Sequence, residues 1–93
     1  MRYLKLTKEQ ASNFDFKITE AIKEQLPNLK LEAGRDIRDY LVWEERDGFL
    51  YVVTTLFDLE NRNRINKETE AETRLWDSVI KENNWEVVSS LEG

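Results

Sequence analysis

Residues 46 to 57 read RDGFLYVVTTLF, and this stretch decides the fold. Asp47 and Gly48 supply the two positive φ angles that a type I′ turn requires, which predicts a tight β-hairpin. Its first strand is predicted over Ile37 to Arg46 and its second over Phe49 to Phe57. A half-buried strand alternates apolar with polar residues, but these strands carry large apolar side chains on both faces. Each face therefore requires either a protein layer or a partner.

The turn also predicts which residues oppose each other across the hairpin. The predicted pairs are Arg46 with Phe49, Trp43 with Val52, Leu41 with Thr54 and Asp39 with Leu56. The first face then consists of Ile37, Leu41, Trp43, Leu50, Val52 and Leu56. The second face consists of Tyr40, Val42, Phe49, Tyr51, Val53 and Phe57, joined by Arg38, Glu44 and Thr55.

Residues 2 to 6 alternate in polarity and predict a short strand. Thr7 and Gln10 fit a capping box, in which each side chain accepts a hydrogen bond from the other residue's backbone amide, so a helix is predicted after Thr7. Pro27 ends the helical pattern. The predicted buried stripe of this helix is Ala11, Phe14, Ile18, Ala21, Ile22 and Leu26. Phe16 points about 150° away from that stripe, which makes it either an isolated exposed residue or a contact residue.

The second half of the chain adds one helix and one strand. Residues 28 to 36 read as a connection with room for a brief strand at 29 to 32. A helix is predicted from about Lys67 to Asn83, capped by Asn66, and a last strand over residues 85 to 91. The predicted buried stripe of the second helix is Ala71, Leu75, Trp76, Val79 and Ile80.

This order of elements predicts an α+β fold of the ferredoxin-like βαββαβ type, with a four-stranded antiparallel sheet and two helices packed on one face. A length of 93 residues predicts a single domain over 1–93. Two helices cover only one face, and the aliphatic face that includes Trp43 suits them better. The second face is then left for a partner, with these predicted partner-binding residues: Arg38, Tyr40, Val42, Phe49, Tyr51, Val53 and Phe57, with Phe16 on the first helix as a further candidate.

The amino-acid composition excludes several kinds of catalytic and metal-binding site. The chain has no cysteine and no histidine, which removes thiol nucleophiles, the commonest general base and the usual zinc ligands. No carboxylate pair, calcium loop or phosphate-binding glycine pattern stands out, so no catalytic site, metal, cofactor or small-molecule substrate is predicted. The first residues, Met-Arg-Tyr-Leu-Lys, lack the apolar run of a signal peptide, and no apolar stretch is long enough to span a membrane, so a cytoplasmic protein is expected.

The leading expectation for function is a small acidic, non-enzymatic interaction module. It would form a homodimer or bind a protein partner through the aromatic second face. A first alternative is an inhibitor of a nucleic-acid enzyme, whose carboxylates imitate phosphates in a basic groove. The candidate mimics are Glu9, Glu20 and Glu24 on the first helix and Glu68, Glu70 and Glu72 on the second. A further possibility is that residues 28 to 36 or the C-terminal segment cover the second face.

A second alternative is weak binding of single-stranded RNA or DNA. Gly48, Phe49, Tyr51 and Val52 resemble the third-strand signature of RNA-recognition motifs, whose sheets stack bases on surface aromatics. The signature's basic residue is replaced by Asp47, its small residue by Leu50 and its last aromatic by Thr54. A net charge of −5 also opposes binding to a polyanion.

Overall fold

The structure is a computed structural model that describes residues 2–27, 36–58, 63–64 and 70–89, with only the backbone described at 55–58 and 63–64. The strands are β1 (Tyr3–Leu6), β2 (Leu41–Arg46), β3 (Phe49–Asp58), β4 (Asn63–Arg64) and β5 (Glu86–Val88). The helices are α1 (Lys8–Gln25) and α2 (Glu70–Asn83), and a 3-10 turn covers Ile37–Tyr40. The four strands β2-β3-β1-β5 form an open antiparallel sheet, while the short β4 pairs only with β3. The predicted α+β class is confirmed.

The first helix begins and ends where the sequence predicts. Thr7 Oγ1 accepts a hydrogen bond from the Gln10 amide at 3.1 Å, and Gln10 Oε1 accepts one from the Thr7 amide at 2.9 Å. These two bonds satisfy amides that have no partner inside the helix. At the other end, the Leu26 amide donates to the Ile22 carbonyl at 2.8 Å, and Pro27 has no amide hydrogen with which to continue the helix. The predicted capping box is confirmed.

Both helices pack on the same side of the sheet. Phe14 of α1 packs against two tryptophans from the second half of the chain. Its ring centroid lies 6.5 Å from that of Trp76 and 5.3 Å from that of Trp85. The predicted helical stripes therefore face the sheet and each other. The buried cluster consists of Leu4, Leu6, Phe14, Ile18, Ile22, Ile37, Tyr40, Leu41, Leu50, Val52, Leu75, Trp76, Val79 and Trp85.

The hairpin forms as predicted near its turn. Asp47 has a φ of 53° and Gly48 a φ of 82°, as a type I′ turn requires. The pairs nearest the turn also match the prediction, with Arg46 opposite Phe49 and Trp43 opposite Val52. The turn chemistry therefore sets the register from Val42 to Arg46 of β2.

The predicted start of the first hairpin strand is wrong. Residues Ile37–Tyr40 form a 3-10 turn, in which the Asp36 amide donates to the Asp39 carboxylate at 3.3 Å and the Asp39 amide to the Asp36 carbonyl at 2.9 Å. Such local bonds offer the backbone an alternative to a sheet ladder. The register then shifts between Leu41 and Val42, so that Leu41 opposes Leu56 and not Thr54. The predicted pairing of Asp39 with Leu56 is therefore also wrong.

Other predictions fall outside the described residues or are met in part. The brief strand at 29 to 32, the cap at Asn66 and the side chain of Phe57 lie outside what the structure describes. The last predicted strand is found as β5, which spans Glu86–Val88 within the predicted 85 to 91. Among the described residues, neither α1 nor α2 contains an apolar stretch of the length that a membrane-spanning helix needs.

Candidate functional site

The sheet has a second side that points away from both helices. Side chains alternate along each strand, so neighbours of the buried Leu4, Leu50 and Val52 project to this opposite side. We call this side the outer face. Its described members are Tyr3, Lys5, Val42, Glu44, Arg46, Phe49, Tyr51, Val53, Glu86 and Val88.

One row of the outer face is apolar across the whole sheet. Val42 opposes Val53, Val53 opposes Tyr3, and Tyr3 opposes Val88, so the row crosses β2, β3, β1 and β5 without a charge. Val53 is only 4% exposed, and the other members are partly buried. The row is a contiguous apolar band, but its members are buried or half-buried, whereas the exposed large apolar side chains are Phe16, Trp43 and Val87.

The next row mixes charges with an aromatic. Glu44 opposes Tyr51, Tyr51 opposes Lys5, and Lys5 opposes Glu86. Lys5 Nζ lies 4.4 Å from the centroid of the Phe49 ring, a distance at which a cation is attracted to the ring face. The aromatic part of the outer face is therefore in contact with a positive charge of the chain itself.

Charges on the outer face balance. Arg46 and Glu44 form an ion pair on β2, with 2.7 Å between Arg46 Nη2 and a carboxylate oxygen of Glu44. Lys5 and Glu86 are the other two described charges of this face, which makes two positive and two negative groups, a sum of zero. The chain as a whole carries −5, so this face is less acidic than the rest of the protein.

Four of the predicted partner-binding residues lie on the outer face: Val42, Phe49, Tyr51 and Val53. Tyr40 does not, because it belongs to the 3-10 turn and is 1% exposed within the core cluster. Its predicted position on the second face was wrong, since a strand period was applied to a segment that is not a strand. Tyr3, Lys5, Glu86 and Val88 join the face without having been predicted as partner-binding residues. The alternation in residues 2 to 6 was the signal for the first two.

Arg38 also lies elsewhere than predicted. Its guanidinium donates from Nε to an Asp15 carboxylate oxygen at 2.8 Å and lies over the Trp43 ring, with Cζ 4.9 Å from the centroid. Asp15 belongs to α1, so Arg38 is on the helix side of the sheet. Trp43 Nε1 donates to the Arg38 carbonyl at 3.2 Å. We call Asp15, Arg38 and Trp43 the edge cluster.

Trp43 was predicted to be covered by the helices, and this prediction is wrong in part. Its side chain is on the helix side, but it remains 42% exposed. The cause is its position on β2, which is an edge strand of the sheet in the order β2-β3-β1-β5. Phe16 is 68% exposed on α1, as predicted for a residue pointing away from the stripe. Of the predicted acidic mimics, Glu72 is buried, Glu9, Glu20, Glu24 and Glu70 are exposed, and Glu68 lies outside the described residues.

A cleft of about 360 Å³ lies between the start of α1 and the hairpin. Its walls come from α1 and from the last residues of β2 and the turn, and Leu50 contributes apolar surface. The lining residues are Lys8, Ala11, Glu45, Arg46, Asp47, Gly48, Phe49 and Leu50. Within the described ranges no group of three or more His, Cys, Asp or Glu side chains is placed to hold a metal ion.

Comparison with known proteins gives no relative. No protein-family model, no curated protein and no solved structure matches the chain. The geometry of the outer face and of the β2 edge therefore carries the functional inference.

Proposed function

We propose that this protein is a non-enzymatic interaction module that associates with a second copy of itself through the outer face. The observation that carries the proposal is the uncharged row Val42, Val53, Tyr3 and Val88, which crosses four strands on the side of the sheet opposite to both helices. The absence of cysteine and histidine from the sequence favours binding over catalysis.

The composition of the face suits a protein contact. Tyrosine and phenylalanine are enriched at the centre of interfaces, where they contribute a large contact area at a small cost in side-chain entropy. Tyr51 lies in the row next to the apolar row, Phe49 lies one row further toward the turn, and Tyr3 is part of the apolar row. The charged residues Glu44 and Arg46 lie on β2, and Glu86 lies on β5. These are the two outermost strands of the order β2-β3-β1-β5, so the three charges would form a polar rim.

The charge balance favours a second copy as the occupant. A chain of net charge −5 repels its own copies through most of its surface, but the described charges of the outer face sum to zero. Two outer faces related by a two-fold axis would meet without a net like charge between them. Sheets packed in this way bury the aromatics of both copies in a common layer.

We also infer that the fold is of the ferredoxin-like type. The strand order β2-β3-β1-β5, the hairpin between β2 and β3, and the shared cluster of both helices on one sheet face support this assignment. In such a fold the helices leave the other sheet face uncovered. The proposed interface follows from that arrangement.

Sedimentation velocity tests the proposal. Wild-type protein is expected to sediment as a dimer at micromolar concentration, and Tyr51→Glu is expected to weaken association by about 30-fold or more. The new carboxylate would lie between Lys5 on β1 and Glu44 on β2, so attraction to the first offsets repulsion from the second, and circular dichroism checks that the variant folds. Asn13→Glu, which adds the same charge at an exposed position of α1, is the control and should leave the dimer intact. A wild-type monomer at high micromolar concentration would contradict the proposal.

A further inference from the structure

A second surface, distinct from the outer face, is the free edge of β2. In the described part of the chain β2 pairs only with β3. An edge strand presents unpaired backbone N–H and C=O groups, which another extended chain can bind as an added strand. We propose that β2 binds an extended basic segment of a partner protein by strand addition, with Lys or Arg at alternate positions beside Trp43 and Glu45.

The hydrogen-bond pattern of the sheet shows which groups are free. The Thr54 amide donates to the Arg2 carbonyl at 3.0 Å, so even-numbered residues of β3 bond toward β1. Backbone bonds alternate along an antiparallel strand, and odd-numbered residues of β3 therefore bond toward β2. Tyr51 then bonds Glu44. The intervening residues Trp43 and Glu45 direct their N–H and C=O groups away from the sheet.

The edge cluster gives this edge a fixed aromatic anchor. The Trp43 ring is held by its Nε1 bond to the Arg38 carbonyl and by the guanidinium above it, and Arg38 is held in turn by Asp15. The ring nevertheless keeps 42% of its surface exposed. A side chain that is ordered before binding loses little entropy on binding, and Trp and Arg dominate the energetics of many interfaces.

Charge determines the kind of segment that fits. On the helix side β2 presents Trp43 and then Glu45, and both Glu45 and Asp47 line the cleft against α1. A cation is attracted to a carboxylate, so Lys or Arg suits the positions beside Glu45 and Asp47. At Trp43 a cation would contact the exposed part of the ring, and the charge of Arg38 over that ring is paired with Asp15. Arg46 also lines the cleft, but its guanidinium is paired with Glu44, and Lys8 lies on the α1 side, so the strand-side carboxylates that form no ion pair within the described part of the chain are those of Glu45 and Asp47.

The same charges disfavour a second copy at this edge. Antiparallel pairing of two β2 strands centred on Glu44 or on Glu45 would place identical carboxylates directly opposite each other. Like charges in that position are destabilising. A register centred on Trp43 avoids them, but it pairs Glu45 with Leu41, whose amide already donates to the Arg38 carbonyl. The net charge of −5 adds a general attraction for a basic partner.

The test uses the peptide KVKVKVK as the probe and isotope-labelled protein observed by NMR. Expected results are shifts of the Trp43 and Glu45 amides, slower hydrogen exchange at both, and weaker binding at higher salt. The peptide EVEVEVE should cause none of these changes. Shifts confined to α1 or to the outer face, or no binding at millimolar peptide, would overturn the proposal.

Two variants separate strand addition from charge attraction. Glu45→Pro removes an N–H that points outward, and proline is tolerated on edge strands, so the sheet should stay intact while peptide affinity falls by about tenfold or more. Glu45→Gln keeps the N–H and the size of the side chain and removes the charge, so a loss of a few-fold is expected. A KVKVKVK peptide methylated at alternate backbone nitrogens tests the same bonds against the unaltered protein. Unchanged affinity in both the proline and the methylated-peptide experiments would overturn strand addition.

A further outcome of the test would show whether a basic segment or a second copy of the chain binds the β2 edge. If Glu45→Pro, without peptide, converts a wild-type dimer into a monomer, then β2 binds a second copy and a basic segment is the wrong partner. That result differs from the effect of Tyr51→Glu, which acts on the outer face. The two proposals can therefore fail separately.

Discussion

The guanidinium of Arg38 lies over the indole ring of Trp43, five residues further along the chain, at 4.9 Å from Cζ to the ring centroid. The Arg38 carbonyl accepts from Trp43 Nε1 and also from the Leu41 amide. The 3-10 turn thus holds the first residues of β2 by its backbone and its side chain together. Asp15 connects this arrangement to α1.

Asp15→Ala is expected to release Arg38 from its position over Trp43. The carboxylate of Asp15 is about half exposed, with 47% of its side chain accessible, so the stability lost should be small, about 0.2–1 kcal/mol. The larger effect should be local, as a change in the fluorine NMR signal of fluorotryptophan at position 43. Arg38→Lys keeps the charge but loses the planar stacking group, and it should move the same signal. A signal unaffected by either change would contradict the coupling.

Thr7→Ala removes one half of the capping box at the start of α1. Because the Gln10 amide loses its acceptor, the free energy of unfolding should fall by about 1 kcal/mol. Urea denaturation followed by circular dichroism measures this difference. Ser12→Ala is a matched control, since Ser12 lies in the same helix and its hydroxyl bonds only the Glu9 carbonyl within the described residues. Equal losses in the two variants would show that the cap has no special role.

Gly48→Ala tests the turn that sets the hairpin register. A Cβ at this position would meet no atom within 4 Å, so any cost arises from the φ of +82° and not from a clash. An L-residue in this region is strained, and a loss of about 1–2 kcal/mol is expected in thermal or urea unfolding. Incorporation of D-alanine, for which this φ is favourable, should restore or exceed the wild-type stability. Equal destabilisation by both alanines would point to a cause other than backbone handedness.

The sequence predicts best those parts of the fold whose sequence motifs are complete within a few neighbouring residues. The Asp47-Gly48 turn and the Thr7-Gln10 cap are complete within a few residues, and both appear as predicted. The 3-10 turn is also local, but the bond between Asp36 and Asp39 competes with a strand pattern that fits the same residues. Tyr40 was predicted on the wrong side of the sheet for this reason. In a strand, a register error of one residue assigns every side chain beyond that point to the opposite face.

For the candidate surfaces, the sequence predicts the residues of one hairpin but not the neighbours that other strands contribute. Val42, Phe49, Tyr51 and Val53 follow from alternation within one hairpin, so their common face was predictable. Which residues of β1 and β5 lie beside them depends on the strand order. That order is determined by pairing between strands that are far apart in the sequence. The exposure of Trp43 depends on the same order, since only the sheet arrangement makes β2 an edge strand. No composition or periodicity distinguishes an edge strand of this kind from a central one.

Trp76 of α2 offers a prediction about the core. Its side chain is fully buried against Phe14, and its Nε1 has no hydrogen-bond partner among the described residues. A buried donor without an acceptor costs about 1–3 kcal/mol, so Trp76→Phe removes a penalty while it opens a small cavity. We expect a net loss of stability smaller than the roughly 3–5 kcal/mol typical of truncating a buried aromatic to alanine, which Phe14→Ala should show in urea unfolding. A Trp76→Phe loss as large as that of Phe14→Ala would mean that the indole N–H has an acceptor in solution.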